Sequence, residues 1–257
     1  LYPYSLQASS VLEILRLHLE RQSVEVKCER LVTGIHREKE GFLLQTGTGA
    51  YRVRRVIFAT GGLAYPQLGA NASGYQLLEK LGHSIVPLRP ALVQVRTEPK
   101  RAKPLKGMRS HAEATLLADG TPLQKTSGEV QFTEHGLSGI CIFELSRLAG
   151  QCLEQKNKKV EVALDLMPEY TESQIASLLY QAVERLPTLP SGDLLGGMLN
   201  RNVGRELLRV ALPQLPKTAG QFSKGQLGTV SRTVTTFLFP LCGPCSWARA
   251  PVPPGWV

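Results

Sequence analysis

The sequence predicts an α/β fold with an inserted α+β body that is β-rich first and helical afterwards. Three observations carry this. Arg55-Val56-Ile57-Phe58-Ala59 is a continuous apolar run, the pattern of a strand covered on both faces of a parallel sheet. It breaks at Thr60-Gly61-Gly62 and is preceded by short alternating segments that read as an antiparallel meander. From about Pro99 the pattern changes to short strands and then to amphipathic helices.

The elements follow in order. Ser10-Val11-Leu12-Glu13 fits a capping box, and Val11, Leu12, Leu15 and Leu19 then share one face of a helix ending near Gln22. Val24-Glu25-Val26 alternates as a short strand, and Leu31 to Ile35 as a second. Gly41 turns the chain into Phe42 to Thr46, and Gly47-Thr48-Gly49 turns it into Tyr51 to Val53. After the apolar run a Gly-rich segment leads to a helix from Tyr75 to Leu81, closed by Gly82. Val86 to Val95 is extended chain, restricted to edge or linker geometry by Pro87 and Pro90. Ala112 to Leu117, Gly120 to Leu123 and Glu129 to Phe132 are short strands around an Asp119-Gly120 turn. Ile140 to Leu153 is amphipathic, Val160 to Leu166 is a strand and Glu172 to Leu186 a helix. Leu194 to Leu199 and Val203 to Leu212 are two shorter helices.

The bulk composition narrows the functional classes. The 257 residues carry a net charge of +9, with dense basic groups at Arg52, Arg54 and Arg55, at Lys100, Arg101, Lys103 and Lys106, and at Lys156, Lys158 and Lys159. No aromatic residues interleave with these groups as a base-stacking platform does, so a solvated basic face is expected and no nucleic-acid partner. Five cysteines spread over this length do not form a secreted disulfide framework, and a reducing cytoplasm is expected. No apolar run is long enough to span a bilayer, so no membrane partner is expected either. The opening Leu1-Tyr2-Pro3-Tyr4 reads as a chain that begins in mid-domain.

The most informative segment is Val56 to Gly62. A buried strand ending in Ala-Thr-Gly-Gly lets a ligand approach bare peptide, because glycine carries no side chain to block it. Ligands of open α/β sheets lie at the carboxyl ends of strands. A meander followed by such a strand resembles the two-dinucleotide-binding flavoproteins, where this segment lies beside the adenosine part of FAD. The resemblance extends to the YhiN/BaiN-like flavoproteins. It is carried by Tyr2-Pro3-Tyr4-Ser5, Gln7 to Val11, Ala59 to Gly62 with Tyr65-Pro66, Gly74-Tyr75, Leu81-Gly82-His83, Pro90 to Val93, Leu105 to Arg109 and Phe132 to Gly139.

That resemblance implies a partial FAD-binding, Rossmann-like domain over residues 1–92, an inserted β-rich and helical domain over 93–236, and a return strand with an aberrant tail over 237–257. It implies FAD as cofactor, with NAD(P)H as a candidate electron donor, and hydride transfer to or from a small organic substrate. The implied cofactor contacts are Val32, Ala59, Thr60, Gly61 and Gly62, mostly through backbone groups. No catalytic side chain is singled out. The family's N-terminal Gly-rich phosphate loop and its C-terminal flavin segment have no counterpart here, so this stretch alone is expected to be inactive and to bind FAD poorly. Where the family has a Ser-Thr-Gly-Asp-Gly type of loop, this chain has Ala70-Asn71-Ala72-Ser73-Gly74. Its end, Pro253-Pro254-Gly255-Trp256-Val257, replaces a Thr-Ala-Gly-Gly-Val type of ending. Two other readings compete: an inactive truncated product, and a basic nucleic-acid-binding protein.

Three further signals have simpler explanations. Cys242-Gly243-Pro244-Cys245 spells a dithiol motif but is followed by proline-rich chain rather than a helix. Thr133 to Gly139 offers a Glu134/His135 acid–base pair, yet reads as a loop in which glycines turn and Ser138 caps the next helix. The histidines show no metal-ligand spacing with any cysteine pair, so no metal is expected.

Overall fold

A computed structural model describes residues 3–155 and 157–244. The chain forms two compact units, Leu1–Phe58 with Glu79–Gly82, and Ala59–Leu78 with His83–Val257.

The first unit contains helix α1 (Ala8–Arg21) and a three-stranded antiparallel meander, β1 (Val32–Glu38), β2 (Gly41–Thr46) and β3 (Gly49–Val53), in that order. Helix α1 starts three residues earlier than the capping box suggests. Gln7 is its N-cap and makes no side-chain cap, while the Ser10 hydroxyl pairs with that of Ser5. The apolar residues of α1 are bare: Val11, Leu12, Ile14, Leu15, Leu17 and Leu19 are all at least 42% exposed. Val24 to Val26 forms no strand, and neither does Arg55 to Ala59. A central parallel strand takes its ladder hydrogen bonds from neighbours on both sides, and no strand among the described residues pairs with this run. Ile57 stands 91% exposed as a result.

In the second unit, α2 (Ser73–Lys80, its last two residues assigned to the first unit) precedes β4 (Val95–Thr97), the short helix α3 (Pro99–Ala102), β5 (Arg109–Ala118), β6 (Thr121–Phe132) and β7 (Gly136–Ser138). Then come α4 (Ile140–Leu153), β8 (Val160–Asp165), α5 (Glu172–Arg185), α6 (Arg201–Ala211), α7 (Lys224–Thr235) and β9 (Phe237–Pro244). The six strands close into an antiparallel barrel, β4-β7-β6-β5-β8-β9. Asp119 and Gly120 both take positive φ, the two-residue turn that suits the twist of a hairpin. The β5–β6 hairpin is longer than its alternation suggests. Thr121 to Phe132 is one strand, its polar middle held by pairing with β5 along its whole length.

Strand β9 pairs with β8 on one side and β4 on the other. The return strand expected to begin at 237 is therefore part of the barrel wall. Inside, Ala112, Ala114 and Leu116 alternate with half-exposed residues on β5, and Phe237 and Phe239 meet edge to face at 4.7 Å. Phe132 adds a tilted contact to Phe239 at 5.8 Å.

Helix α4 packs across the barrel, and α5, α6 and α7 form the helical part. Thr171 with Gln174, and Ser223 with Gln226, form capping boxes that start α5 and α7. No helix forms at Leu194 to Leu199, where Gly197 adopts φ +82° and breaks the run after a single 3-10 turn at Ser191–Asp193. Among the described residues, no helix is long and apolar enough to cross a membrane.

Phe239→Ala is expected to destabilise the protein by about 3–5 kcal/mol, because it empties the barrel centre. Urea unfolding measures this, and a loss below about 1 kcal/mol would contradict the packing described.

Candidate functional site

The Thr60–Gly62 turn lies at the start of the second unit. Gly61 takes φ +72°, a conformation that L side chains rarely adopt. A Cβ built on it meets nothing within 4 Å, so the peptide there faces open space. Thr60 turns its side chain away from that opening and onto Gly74. A Cβ at Gly74 would overlap Thr60 Oγ1 and Cβ, so the buried glycine in the first turn of α2 provides the seat for this threonine. Ala59, Thr60 and Gly61 are exposed, and Gly62 is half-buried.

The loop between the turn and α2 is built from short-range bonds. Tyr65 adopts φ 56° and leads into a 3-10 turn at Pro66–Leu68. Asn71 Nδ2 donates to the Gly69 carbonyl at 3.0 Å, and the Ser73 N–H donates to Asn71 Oδ1 at 2.9 Å. This asparagine therefore already occupies one of the free N–H groups at the start of α2, which a phosphate would otherwise use.

Val32 belongs to the first unit. It is half-buried at the start of β1, opposite Thr46, with a register irregularity before Gly34. Strand β1 is an edge of the meander, and its only strand partner among the described residues is β2. Its outer backbone groups therefore have no ladder partner among the described residues. The residues expected at the cofactor divide between the units: Val32 lies in one, and Ala59, Thr60, Gly61 and Gly62 in the other.

The remaining candidates resolve into structural roles. Glu134 binds Lys106 Nζ at 2.5 Å, and that hydrogen bond holds its carboxyl below the usual range. The His135 carbonyl accepts from the Thr97 N–H at 3.0 Å. Ser138 does not cap α4. It is buried in β7, and Gly139 is the N-cap. Gly136 is required by close packing, since a Cβ there would overlap the Val95 carbonyl. Cys242 lies on β9 rather than at a helix N-terminus, and Cys245 is outside the described residues. No group of side chains among the described residues is arranged to hold a metal.

These features define a mixed α/β protein with a bare glycine turn and a separate β-barrel. The chain belongs to the HI0933-like protein Rossmann domain family, whose model matches residues 1–227. That is the family of YhiN/BaiN-like flavoproteins that the motifs resemble. It is 32% identical, over 82% of its length, to the 3-dehydro-bile acid delta(4,6)-reductase of Clostridium scindens, of which it covers 51%. It is 28% identical over 63% of its length to the ribosomal RNA dihydrouridine synthase of Haemophilus influenzae, covering 39% of that protein. The corresponding synthase of Escherichia coli is 26% identical over 54% of this chain, which covers 34% of it. The chain thus spans about half the length of the reductase and less of the synthases.

Two outcomes test this geometry. Gly74→Ala is expected to destabilise by about 1–3 kcal/mol through overpacking against Thr60, and Thr60→Ala in the same chain should recover most of the loss. Additive losses in urea melts would contradict the contact. Burial pushes the Cys141 thiol up to about 11. Cys28 and Cys242 are therefore expected to alkylate at neutral pH, while buried Cys141 and Cys152 stay protected until unfolding. Peptide mass spectrometry reads both.

Proposed function

We propose that this chain is part of an FAD-dependent oxidoreductase that reduces a carbon–carbon double bond of a small organic substrate. That is the chemistry that the words delta(4,6)-reductase and dihydrouridine synthase have in common. The carrying observation is Gly61: a left-handed peptide facing open space, with the neighbouring Thr60 side chain held away from it by Gly74.

FAD, when bound, supplies the hydride to the substrate, and NAD(P)H is the proposed source of those electrons. The residues of this chain hold the cofactor rather than perform the chemistry. Ala59, Thr60, Gly61 and Gly62 would offer backbone groups to the adenosine part; in the first unit, the edge-strand backbone at Val32 is a separate candidate for an adenine contact, proposed from the family resemblance. The bare peptide at Gly61 fits such a ligand. The loop at Ala70 to Gly74 is a poorer phosphate cradle, because Asn71 competes for its N–H groups. A cytoplasmic location fits the free thiols of the four described cysteines.

A second reading takes a uridine base within RNA as the substrate. It is favoured by the net charge of +9 and by the two synthase relatives.

The test is the flavin content of the protein expressed from its whole reading frame, with any coding sequence adjoining these 257 residues included. The purified protein is expected to be yellow. Gly61→Val, which puts a branched side chain on a left-handed peptide in the ligand's path, should lower FAD affinity at least about tenfold. A colourless wild-type protein that takes up no added FAD would overturn the proposal.

A further inference from the structure

We infer that the second unit carries an RNA-backbone docking surface made by Lys100 and Lys103 together with Arg209. The inference rests on the second substrate reading and extends it from the reacting base to the phosphates around it.

The sequence places Lys100 and Lys103 far from Arg209, but the fold brings them together. The segment Pro99–Leu105, a short helix continued by a 3-10 turn, packs against α6. Pro99, Lys100, Lys103, Pro104 and Arg209 line one shallow, open depression, its floor formed largely by the prolines and the aliphatic stems of the basic side chains. The two prolines fix the backbone from which the lysines project.

The charge around the site is unbalanced. Lys100, Arg101 and Lys103 make no ion pair among the described residues, whereas Lys106 pairs with Glu134 and Arg209 with Glu206. Glu98, at the N-cap of α3, is the other acidic neighbour in sequence. The excess continues along α6. Arg201, Arg205 and Arg209 recur every four residues and so share one side of the helix, which carries the ridge over about 12 Å. Arg201 and Arg205 both grip the single carboxylate of Asp193, at 3.1 and 2.8 Å, which leaves one positive charge over.

A ridge of this kind suits a chain of regularly spaced phosphates better than a single anion. Arginine offers planar forks, and the lysines offer mobile point charges that follow the backbone. No aromatic residue lines the site, so it holds phosphates and does not read bases. A membrane surface is a poorer match, because no large apolar side chain from 96 to 109 is exposed to enter lipid.

The experiment measures binding of the 257-residue chain to a fluorescein-labelled RNA hairpin by anisotropy between 50 and 300 mM KCl. The wild type is compared with Lys100→Ala/Lys103→Ala and with Arg54→Ala/Arg55→Ala, which removes an exposed basic pair of the first unit. The Lys100/Lys103 variant is expected to bind about tenfold more weakly at 100 mM, with a salt slope shallower by about 1.4–1.8 for two lost phosphate contacts. The Arg54/Arg55 variant should match the wild type. Circular dichroism melts identify any variant that has failed to fold, and Arg209→Gln then serves as the independent substitution. RNA binding that is indifferent to the Lys100/Lys103 change overturns the surface while leaving the RNA reading standing. No RNA binding at all overturns both. Equal binding of polyglutamate overturns the assignment to RNA. The flavin reading is judged separately, by absorbance.

Discussion

Backbone N–H and C=O groups that leave water must be paired, and this requirement organises both units of the chain. In the second unit it is met by closure. The last strand, Phe237–Pro244, enters between β8 and β4, and no edge of the ladder is left open. The phenylalanines of that strand fill the barrel centre, so the pairing and the core depend on the same residues. Along 55–59 the requirement is not met by a ladder, since the extended run finds no strand beside it among the described residues. Just beyond it, Gly61 turns bare peptide outward.

The division of labour follows from that contrast. The barrel and its helices share one packed interior, and the proposed RNA contact would use their outward charge. The turn at Thr60 to Gly62 has few side chains and no acid or base, which suits a cofactor contact and not a catalytic group. Thr60 and Gly74 show how the turn is kept bare. A threonine that could reach a ligand is instead seated on a helix that has been cleared for it. The proposed oxidoreductase would therefore hold its cofactor with backbone and engage its substrate from elsewhere.

Much of this architecture is legible in the sequence where the signal is local. The Asp119-Gly120 hairpin, the helix after Thr171 and the three-stranded meander follow from turn chemistry, capping and alternation. Elements whose partners are distant are not legible in the same way. The apolar run at 55–59 reads as a strand covered on both faces, yet it forms no strand among the described residues and Ile57 is exposed, because the run itself cannot supply the neighbours such a strand needs. The placement of β9 in the barrel depends on pairing with strands far back in the chain. Ser138 resembles a helix cap in sequence, yet Gly139 intervenes and the serine is buried in β7. Helix α7 was open to detection, because Ser223 and Gln226 form the same capping pattern as Thr171 and Gln174 at the start of α5. At the site, Gly61 and Thr60 could be named from the Ala-Thr-Gly-Gly motif, whereas the role of Gly74 needs the fold. The grouping of Lys100 and Lys103 with Arg209 is likewise invisible to spacing.

The most direct measurement is amide hydrogen exchange on the protein expressed from its whole reading frame, followed by mass spectrometry with and without saturating FAD. The account predicts slowed exchange at Thr60 to Gly62 and at the edge of β1 around Val32 when FAD is added. FAD that binds tightly yet leaves those amides exchanging at their free rate would contradict it.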